Sequence, residues 1–331
     1  MCSRRMYLWA LDISSKFIAF RIVFVMYRWS PIVFFLILLG YSWYAYVAVI
    51  CLHSAKSLTQ TLVYMVVYHI LLVFTVWSLL ATVSHPPARV PPHYAINAQH
   101  IKEIDCLDET VVEQCVVKRQ HLRLLIRQLG LEVNTCDRRE IPNYCRTCRV
   151  IKPDRTHHCS RCGVCVLKYD HHCPWLNSCV HFGNYKYFLL LLVYVSTMCL
   201  WISCTSLQFV ILYAVNQDDH GHRVNSVILA VIAAIFFFYP VIPLLQFHVK
   251  LLKQGETTCE QEKSLRFPGV AGMPKTHYSR GFKKNLMAVF GADPWLWLVP
   301  VWSTPGDGCR FKAIQNDRTW RFREIKYSPS S

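Results

Sequence analysis

Four long apolar runs dominate the pattern of hydrophobic and polar positions along this chain. They cover residues 31–52, 60–83, 188–214 and 225–247, and none of them contains Lys, Arg, Asp or Glu. A helix needs about 20 consecutive apolar residues to cross the hydrocarbon core of a bilayer. The pattern therefore predicts four transmembrane helices, the alternative being buried core helices of a large soluble protein.

A shorter apolar segment, residues 16–29, precedes the first run. It carries Arg21 and is too short to span a bilayer, so we expect a helix that lies in the membrane interface. Asp12 and Lys16 interrupt the apolar residues near the N-terminus, and no small-residue cleavage site follows them. We therefore expect no cleavable signal peptide.

The stretch between the second and third runs divides into two parts. After the prolines of SHPPARVPPHY, apolar residues recur at helical spacing from residue 110 to residue 130, and Thr110 with Glu113 matches a capping box. This pattern predicts an amphipathic helix. From residue 144 to residue 179 neither the helical nor the strand period holds, which predicts a small loop-rich domain that something other than an apolar core must stabilise.

The predicted organisation has six parts, and the sequence predicts no internal repeat. Within the C-terminal part, the tryptophans and prolines of residues 285–302 predict docking at the membrane interface or on the cytosolic domain. The parts are an N-terminal segment (1–30), the first two transmembrane helices (31–83), a linker with the amphipathic helix (84–143), the cysteine-rich domain (144–187), the last two transmembrane helices (188–247) and a C-terminal region (248–331).

Composition and charge agree with a membrane protein and predict its orientation. Of the 331 residues 53% are hydrophobic and only 17% are charged, although the net charge is +16. Lys56 and Arg223 are the only Lys or Arg residues in the short connections 51–60 and 215–225. Because positive charge accumulates on the cytosolic side, both termini and the long central loop are predicted to be cytosolic.

The cysteines are concentrated in the loop-rich domain. Eight of the 16 fall between residues 136 and 179, on the side assigned to the reducing cytosol, so disulfides are a poor explanation. Two CxxC pairs with nearby histidines and further cysteines have the spacing of zinc ligands, and two ions would use eight of these side chains. Clustered free thiols and an iron–sulfur site are the weaker alternatives. The candidates are Cys145, Cys148, His157, His158, Cys159, Cys162, Cys165, His171, His172, Cys173 and Cys179.

The cysteine-rich stretch resembles the DHHC-type protein S-acyltransferases, the palmitoyltransferase family of integral membrane enzymes. The motif is Asp170-His171-His172-Cys173, flanked by CRTCRVIKPDRTHHCSRCGVCVLKYD and PWLNSCV. Farther along, TTCE at residues 257–260 resembles the family's TTxE motif, and NLMAVFG with Asn285 resembles its conserved-asparagine segment. The resemblance implies an α-helical integral membrane protein with a two-zinc domain between its second and third spans.

The resemblance also implies a role for individual residues. It implies Cys173 as the nucleophile, His171 as its base and Asp170 as the acid that orients the base, with Thr257, Thr258, Glu260, Asn184 and Asn285 in support. It implies one zinc on Cys145, Cys148, His158 and Cys165, and a second on Cys159, Cys162, His172 and Cys179.

One position departs from the family pattern. His181 stands where the family usually has glycine, in CVHFGN, which puts the local loop geometry and the rate in question. Asn184 and the nucleophile motif are retained, so the change does not by itself indicate an inactive relative.

The implied reaction is transfer of a long-chain acyl group from acyl-CoA to protein cysteines through a thioester on Cys173. Phe188 is expected to line an acyl cavity or simply to pack, and Trp175 to anchor at the interface or cover the thioester. Lys152 and Arg155 are expected to meet CoA phosphates or to belong to an ordinary solvated basic face. The expected partners are acyl-CoA, the bilayer and proteins with juxtamembrane cysteines, without nucleic acid, at the Golgi, endoplasmic reticulum or plasma membrane. The alternative is a non-catalytic zinc-bearing adaptor or channel.

Overall fold

Four long apolar helices form the body of the protein. The computed structural model describes residues 18–108, 110–216, 221–263, 265–267 and 278–311. Within these residues, four helices are long and apolar enough to cross a membrane, and the four predicted transmembrane helices are thereby confirmed. They are Ile22–Ser54, Leu58–Ser84, Tyr185–Leu212 and Val224–Gln254.

The elements follow one another in the predicted order. The helices are α1 (Ile18–Trp43), which continues as a π-helix (Tyr44–Ser54), α2 (Leu58–Ser84), α3 (Ala98–Asp105), α4 (Val112–Gln128), α5 (Tyr185–Asn216), α6 (Gly221–Gln254), α7 (Thr258–Glu262) and α8 (Phe282–Phe290). The strands are β1 (Tyr144–Cys145), β2 (Val150–Ile151), β3 (His157–Cys159), β4 (Val164–Val166), β5 (His171–Cys173) and β6 (Ser178–Val180).

The apolar segment before the first span is not a separate element. Ile18 begins α1, which runs through Pro31 into the membrane-spanning part, since the apolar composition continues across this proline. The part of the predicted interfacial segment that precedes Ile18 lies outside the described residues, as do the basic residues Arg4 and Arg5. The first span is accordingly longer than the sequence predicts.

The amphipathic helix of the linker is present, but its start differs from the prediction. α4 begins at Val112, and its N-cap is Val111, without a capping side chain. The Thr110 N–H instead donates to the Asp108 carboxylate at 2.8 Å, an Asx turn that takes the place of the predicted capping box. The buried side chains of this helix pack with those of α3 and the first hairpin in a core of Ile96, Ile104, Cys115, Leu122, Leu125, Ile141 and Ile151.

The third span, α5, is the central helix of the bundle. It packs against both α2 and α6, and 61% of its apolar window is buried, more than in any other span. Its first residue, Tyr185, follows the last zinc-domain hairpin after only a few residues. The cysteine-rich domain is therefore joined directly to the most deeply buried of the four spans.

The C-terminal region docks back on α5. The buried Lys186 ammonium donates to the carbonyl oxygens of Leu296 and Val301, at 2.7 and 2.9 Å, and to the Ser303 hydroxyl at 2.7 Å. Trp295 remains 89% exposed beside this contact. The predicted docking of residues 285–302 thus takes place on a span, with tryptophan directed outward as at a membrane interface.

Candidate active site

Three consecutive β-hairpins form the cysteine-rich domain, and each pairs its two strands antiparallel. The second and third share a sequence pattern, because HHCSRCGVCV begins at His157 and HHCPWLNSCV begins at His171, with equivalent registers. The structure thus contains a short repeat that the sequence analysis did not predict. The second copy lacks one cysteine of the first, which obscures the match.

The registers of these hairpins assemble two metal sites. The central cross-strand pair of the second hairpin is His158 with Cys165, and that of the third is His172 with Cys179. Each pair meets the two CxxC cysteines of the preceding hairpin. The structure brings together the two sets that the resemblance implies, namely Cys145, Cys148, His158 and Cys165, and Cys159, Cys162, His172 and Cys179.

The donor distances in both sets fit tetrahedral zinc. Zn–S bonds of about 2.3 Å and Zn–N bonds of about 2.0 Å separate tetrahedral donor atoms by roughly 3.5–3.8 Å. The Nδ1 atom of His158 lies 3.6, 3.3 and 3.9 Å from its three sulfur neighbours. The Nδ1 atom of His172 lies 3.6, 3.4 and 3.5 Å from the three sulfur atoms of the second cluster. Both clusters are therefore positioned to bind zinc.

Cys173 is the cysteine that this scheme leaves without metal. Like Cys145 and Cys159, it ends the first strand of its hairpin. Three residues later, however, Leu176 stands where the other hairpins have their second cysteine, and α5 follows instead of a fourth hairpin. The Cys173 thiol, 8% exposed, thus occupies a metal-ligand position of the repeat without the partners that a metal would need.

Strand alternation separates the metal ligand from the other side chains of the motif. In β5 successive side chains point to opposite faces, so His171 and Cys173 share one face while His172 points to the zinc cluster. Nδ1 of His171 lies 2.7 Å from Oδ2 of Asp170, which is almost fully buried. The other ring nitrogen of His171 is left for the thiol of Cys173.

These contacts determine the charge states of the acid and the imidazole. Burial would raise the pKa of Asp170, but the hydrogen bonds from His171 and Thr258, together with the positive charge on His171, outweigh burial and hold that pKa below the ordinary value. Burial would lower the pKa of His171, but hydrogen bonds to Asp170 and Cys173 raise it to about 9. The arrangement therefore favours a carboxylate beside a proton-holding imidazole, the partner that a thiolate needs.

The TTxE motif supplies the donors that hold Asp170. The Thr258 N–H donates to Oδ1 of Asp170 at 3.0 Å, and the Thr258 hydroxyl donates to Oδ2 at 2.7 Å. Thr257 is the N-cap of α7 and forms a capping box with Glu260, whose carboxylate accepts the Thr257 N–H. The one-turn helix α7 thereby presents Thr258 to the carboxylate that orients His171.

A buried ion pair fixes α7 on the cysteine-rich domain. Nε and Nη2 of Arg155 donate to the two carboxylate oxygens of Glu260 at 2.6 and 2.7 Å, and both side chains are about 95% buried, with 5% and 4% exposed. The guanidinium also lies over the rings of Tyr278 and Phe311. The prediction that Arg155 meets CoA phosphates is wrong in this structure, since its donors are committed to Glu260 and to the Gly255 carbonyl.

Removing one partner of this ion pair is expected to destabilise the domain interface. Glu260→Ala leaves the Arg155 guanidinium buried without its counter-charge and removes the capping box, a loss of about 3 kcal/mol or more. In thermal unfolding of the detergent-solubilised protein we expect a midpoint several degrees lower. Glu262→Ala is the matched control, because Glu262 belongs to the same helix but is exposed. Equal midpoints for the two variants would contradict a stabilising role for the pair.

Two asparagines satisfy backbone groups around the site. The Asn184 amide donates to the carbonyls of Thr82 and Cys179, which joins the end of α2 to β6. The Asn285 amide donates to the Lys253 carbonyl in the last turn of α6, where a helix leaves its carbonyls unpaired. Both asparagines are therefore supports of the scaffold, without contact to the thiol.

His181 fills the space where the family usually has glycine. Its side chain is 1% exposed, and its Nδ1 accepts the Gly183 N–H at 2.9 Å and the Ala88 N–H at 3.4 Å. Burial lowers the pKa of His181 to about 4, so the ring is neutral. The larger side chain is accommodated as a bridge to the residues that follow α2, and the Cys173 hairpin keeps its register.

Aromatic rings of α5 and α6 pack on the imidazole of His171. The Phe188 ring lies edge-on to that of His171, with centroids 5.4 Å apart, and His248 lies 5.9 Å from His171. Nδ1 of His248 is 3.2 Å from the Tyr185 hydroxyl. Sequence reasoning missed His248 and Tyr185, although a histidine at the end of an apolar span was a signal available in the sequence.

The remaining predicted contacts lie at the edge of the site. Trp175 follows Cys173 closely and is 59% exposed, which suits an interface anchor. Lys152 is half-buried beside the first hairpin. Cys173, Leu176 and Phe188 belong to one apolar cluster with side chains of the spans, so the thiol faces the membrane-embedded part of the protein.

Comparisons with known proteins agree with this geometry. A family model described as DHHC palmitoyltransferase matches residues 138–265. Palmitoyltransferase ZDHHC20-A of Danio rerio is 33% identical over 86% of this chain and 77% of its own length. Palmitoyltransferase ZDHHC2 of Rattus norvegicus is 35% identical over 86% of this chain and 75% of its own. Palmitoyltransferase ZDHHC20 of Bos taurus is 36% identical over 86% of this chain and 76% of its own length. These matches do not favour a zinc-bearing adaptor or channel.

Proposed function

This chain belongs to the DHHC palmitoyltransferase family, and on that premise we propose that Cys173 carries the acyl group during transfer to protein cysteines. Protein S-acyltransferase activity follows from the family. The observation that carries the assignment of Cys173 is its position in the hairpin repeat, where Leu176 replaces the second cysteine and a helix follows instead of another hairpin. Beside it lies His171, whose Nδ1 is held by Asp170. Zinc has a structural role, since His172, the one zinc ligand in β5, points to the face opposite to that of His171 and Cys173.

The first step is attack of the Cys173 thiolate on the carbonyl carbon of an acyl-CoA. His171 takes the thiol proton, and Asp170 stabilises the imidazolium through Nδ1. A carbon–sulfur bond to Cys173 forms while the carbon–sulfur bond to CoA breaks, and the imidazolium returns its proton to the departing CoA thiolate. The product is an acyl thioester on Cys173.

The second step repeats this exchange with a protein thiol. His171 accepts the proton of the incoming cysteine, whose thiolate attacks the thioester carbonyl and releases the Cys173 thiolate. Zinc takes no part in the bonds made or broken in either step. Its ligands fix the hairpins, so that His171 and Cys173 stay on the same face of β5. Thr258 and Glu260 act as positioning residues through Asp170.

The acyl chain leaves the thioester toward the transmembrane helices. Support for this comes from the apolar cluster that joins Cys173 and Leu176 to Phe188, Leu191 and Val195 of α5, all of them buried. Phe188 then lines the path of the first acyl carbons and also packs against the His171 ring. Lys152 remains a candidate contact for the anionic CoA head group, and Trp175 for the thioester or the bilayer surface.

The orientation in the membrane follows from the positive charges. Both termini and the zinc domain are cytosolic, because the two short connections between spans contain only Lys56 and Arg223 of all Lys and Arg residues. The protein substrates therefore present cysteines on the cytosolic side near the bilayer surface. The six-part organisation from residue 1 to residue 331 is part of this proposal, as is a Golgi, endoplasmic reticulum or plasma membrane location.

Labelling with an acyl donor tests the proposal directly. Detergent-solubilised, zinc-loaded protein is incubated with an alkyne-bearing palmitoyl-CoA analogue, digested, and the labelled peptides are identified by mass spectrometry. We expect hydroxylamine-sensitive label on the peptide that contains Cys173, because thioesters react with hydroxylamine. Label confined to another cysteine, or none on folded protein, would overturn the assignment, and the latter result would point to His181 as a disabling change or to the non-catalytic adaptor.

A further inference from the structure

Two histidines and a glutamate meet on the linker between α2 and the cysteine-rich domain. His100 and Glu103 lie one turn apart on α3, and His121 comes from α4. His100 Nδ1 is 3.1 Å from His121 Nε2, His100 Nδ1 is 3.3 Å from Glu103 Oε2, and His121 Nε2 is 3.4 Å from the same oxygen. The three donor atoms therefore form a nearly equilateral triangle.

The size of this triangle matches the coordination sphere of a small transition-metal ion. Metal bonds of about 2.0 Å to imidazole nitrogen and carboxylate oxygen, at the tetrahedral angle, separate the donor atoms by about 3.3 Å. The three observed separations fall around that value. The same comparison of donor spacing identifies the two cysteine-rich clusters, so it applies here to a different set of ligands.

Protons alone cannot satisfy all three atoms. If both ring nitrogens donate to the Glu103 carboxylate, two N–H groups face each other across 3.1 Å. If His121 instead donates to His100, the lone pair of His100 faces the lone pair of the carboxylate. In either case one of the three pairs of atoms repels, whereas a cation between them accepts all three lone pairs at once.

We propose that His100, Glu103 and His121 bind a third metal ion, with Zn²⁺ as its occupant. Two imidazoles and one carboxylate suit zinc and its transition-metal neighbours, whereas calcium and magnesium prefer oxygen ligands alone. The ligand side chains are 31%, 45% and 25% exposed, so water completes the coordination from the open side. The Gln99 amide, 3.4 Å from Oε1 of Glu103, orients the carboxylate.

The ion cross-links two helices that otherwise share a small apolar core. Ile104 of α3 and Leu122 of α4, each next to a ligand, are fully buried in that core. The linker is joined to the first hairpin by the Ile96 N–H, which donates to the Arg149 carbonyl at 3.1 Å. The third ion therefore holds the linker against the hairpin that carries Cys145 and Cys148. The proposed site does not depend on the acyl-transfer mechanism.

Counting bound zinc tests the proposal. The full-length protein in detergent is equilibrated at micromolar free Zn²⁺, freed of unbound metal and measured by elemental mass spectrometry. We expect three ions per chain for the wild type and two for His121→Ala and Glu103→Gln. His93→Ala, an exposed linker histidine outside the cluster, is the control and keeps three. Two ions in the wild type, or three in both cluster variants, would overturn the proposal.

Cobalt provides a second readout that separates this site from the cysteine clusters. Co²⁺ added to protein whose thiolate sites already hold zinc is expected to produce visible d–d absorption without a thiolate charge-transfer band, because its donors are nitrogen and oxygen. The absorption disappears in His100→Ala and persists in His93→Ala. A thiolate band in its place, or equal absorption in all variants, would assign the cobalt to another site.

Discussion

Replacing Cys173 by serine is expected to abolish acyl transfer and leave the zinc content unchanged. The serine hydroxyl is a far weaker nucleophile than a thiolate, and a lost nucleophile reduces turnover by several orders of magnitude, about 10⁴-fold or more. The protein should still fold, because Cys173 belongs to neither zinc cluster and the change is almost isosteric. The measurement is self-acylation with labelled palmitoyl-CoA, together with elemental analysis of zinc.

Cys259→Ser is the matched control for this substitution. Cys259 is the variable residue of the TTxE motif, lies near the same interface and is not a zinc ligand. Burial raises the pKa of its thiol to about 11, so it is protonated at neutral pH and is no nucleophile. The Cys259→Ser variant should self-acylate at the wild-type rate. Loss of one zinc ion from Cys173→Ser would instead assign Cys173 to the metal.

Replacing Asp170 by asparagine is expected to slow acylation by about 10⁴-fold, by analogy with other nucleophile–histidine–acid sites. The asparagine amide lacks the charge that stabilises the His171 imidazolium. Its NH₂ group can also donate to an unprotonated Nδ1 of His171, which leaves the ring proton on Nε2, the nitrogen that should accept the thiol proton. The pKa of His171 should fall, because the hydrogen bond that its Nδ1 donates to Asp170 is a principal cause of its rise to about 9. The rate of self-acylation as a function of pH measures both effects.

Thr258→Val separates the role of Asp170 from that of its supports. This variant removes the hydroxyl donor to Oδ2 but keeps the backbone N–H donor to Oδ1, so a loss of about tenfold is expected. Zinc content should be normal in both variants. If Asp170→Asn kept more than half of the wild-type rate, the carboxylate would be a structural group with no part in orienting His171.

The hairpin repeat explains why Cys173, the proposed acyl carrier, lies next to a metal ligand. A zinc domain built from successive hairpins needs a following hairpin to complete each site, and the last one has none. Its first cysteine, Cys173, occupies the strand position of a metal ligand but belongs to neither zinc cluster. Strand alternation then places His171 beside it and sends His172 to the other face.

Features that depend on local pattern could be predicted from the sequence. The four spans follow from uninterrupted apolar length, which the bilayer thickness requires wherever the helices lie in the fold. The zinc domain follows from CxxC spacing, because two cysteines three apart reach one ion within a single turn. The ligand sets and the DHHC motif needed the family resemblance as well, since spacing alone leaves several histidines and cysteines equivalent.

Contacts between distant parts of the chain were decided by the tertiary structure. Thr258 meets Asp170 across 88 residues and Glu260 meets Arg155 across 105, and no local pattern relates them. For the same reason Arg155 was mistaken for a surface cation, and His248 was missed beside His171. Sequence determines which side chains a helix or hairpin presents, but only the packing of α5, α6 and α7 on the zinc domain decides which of them meet.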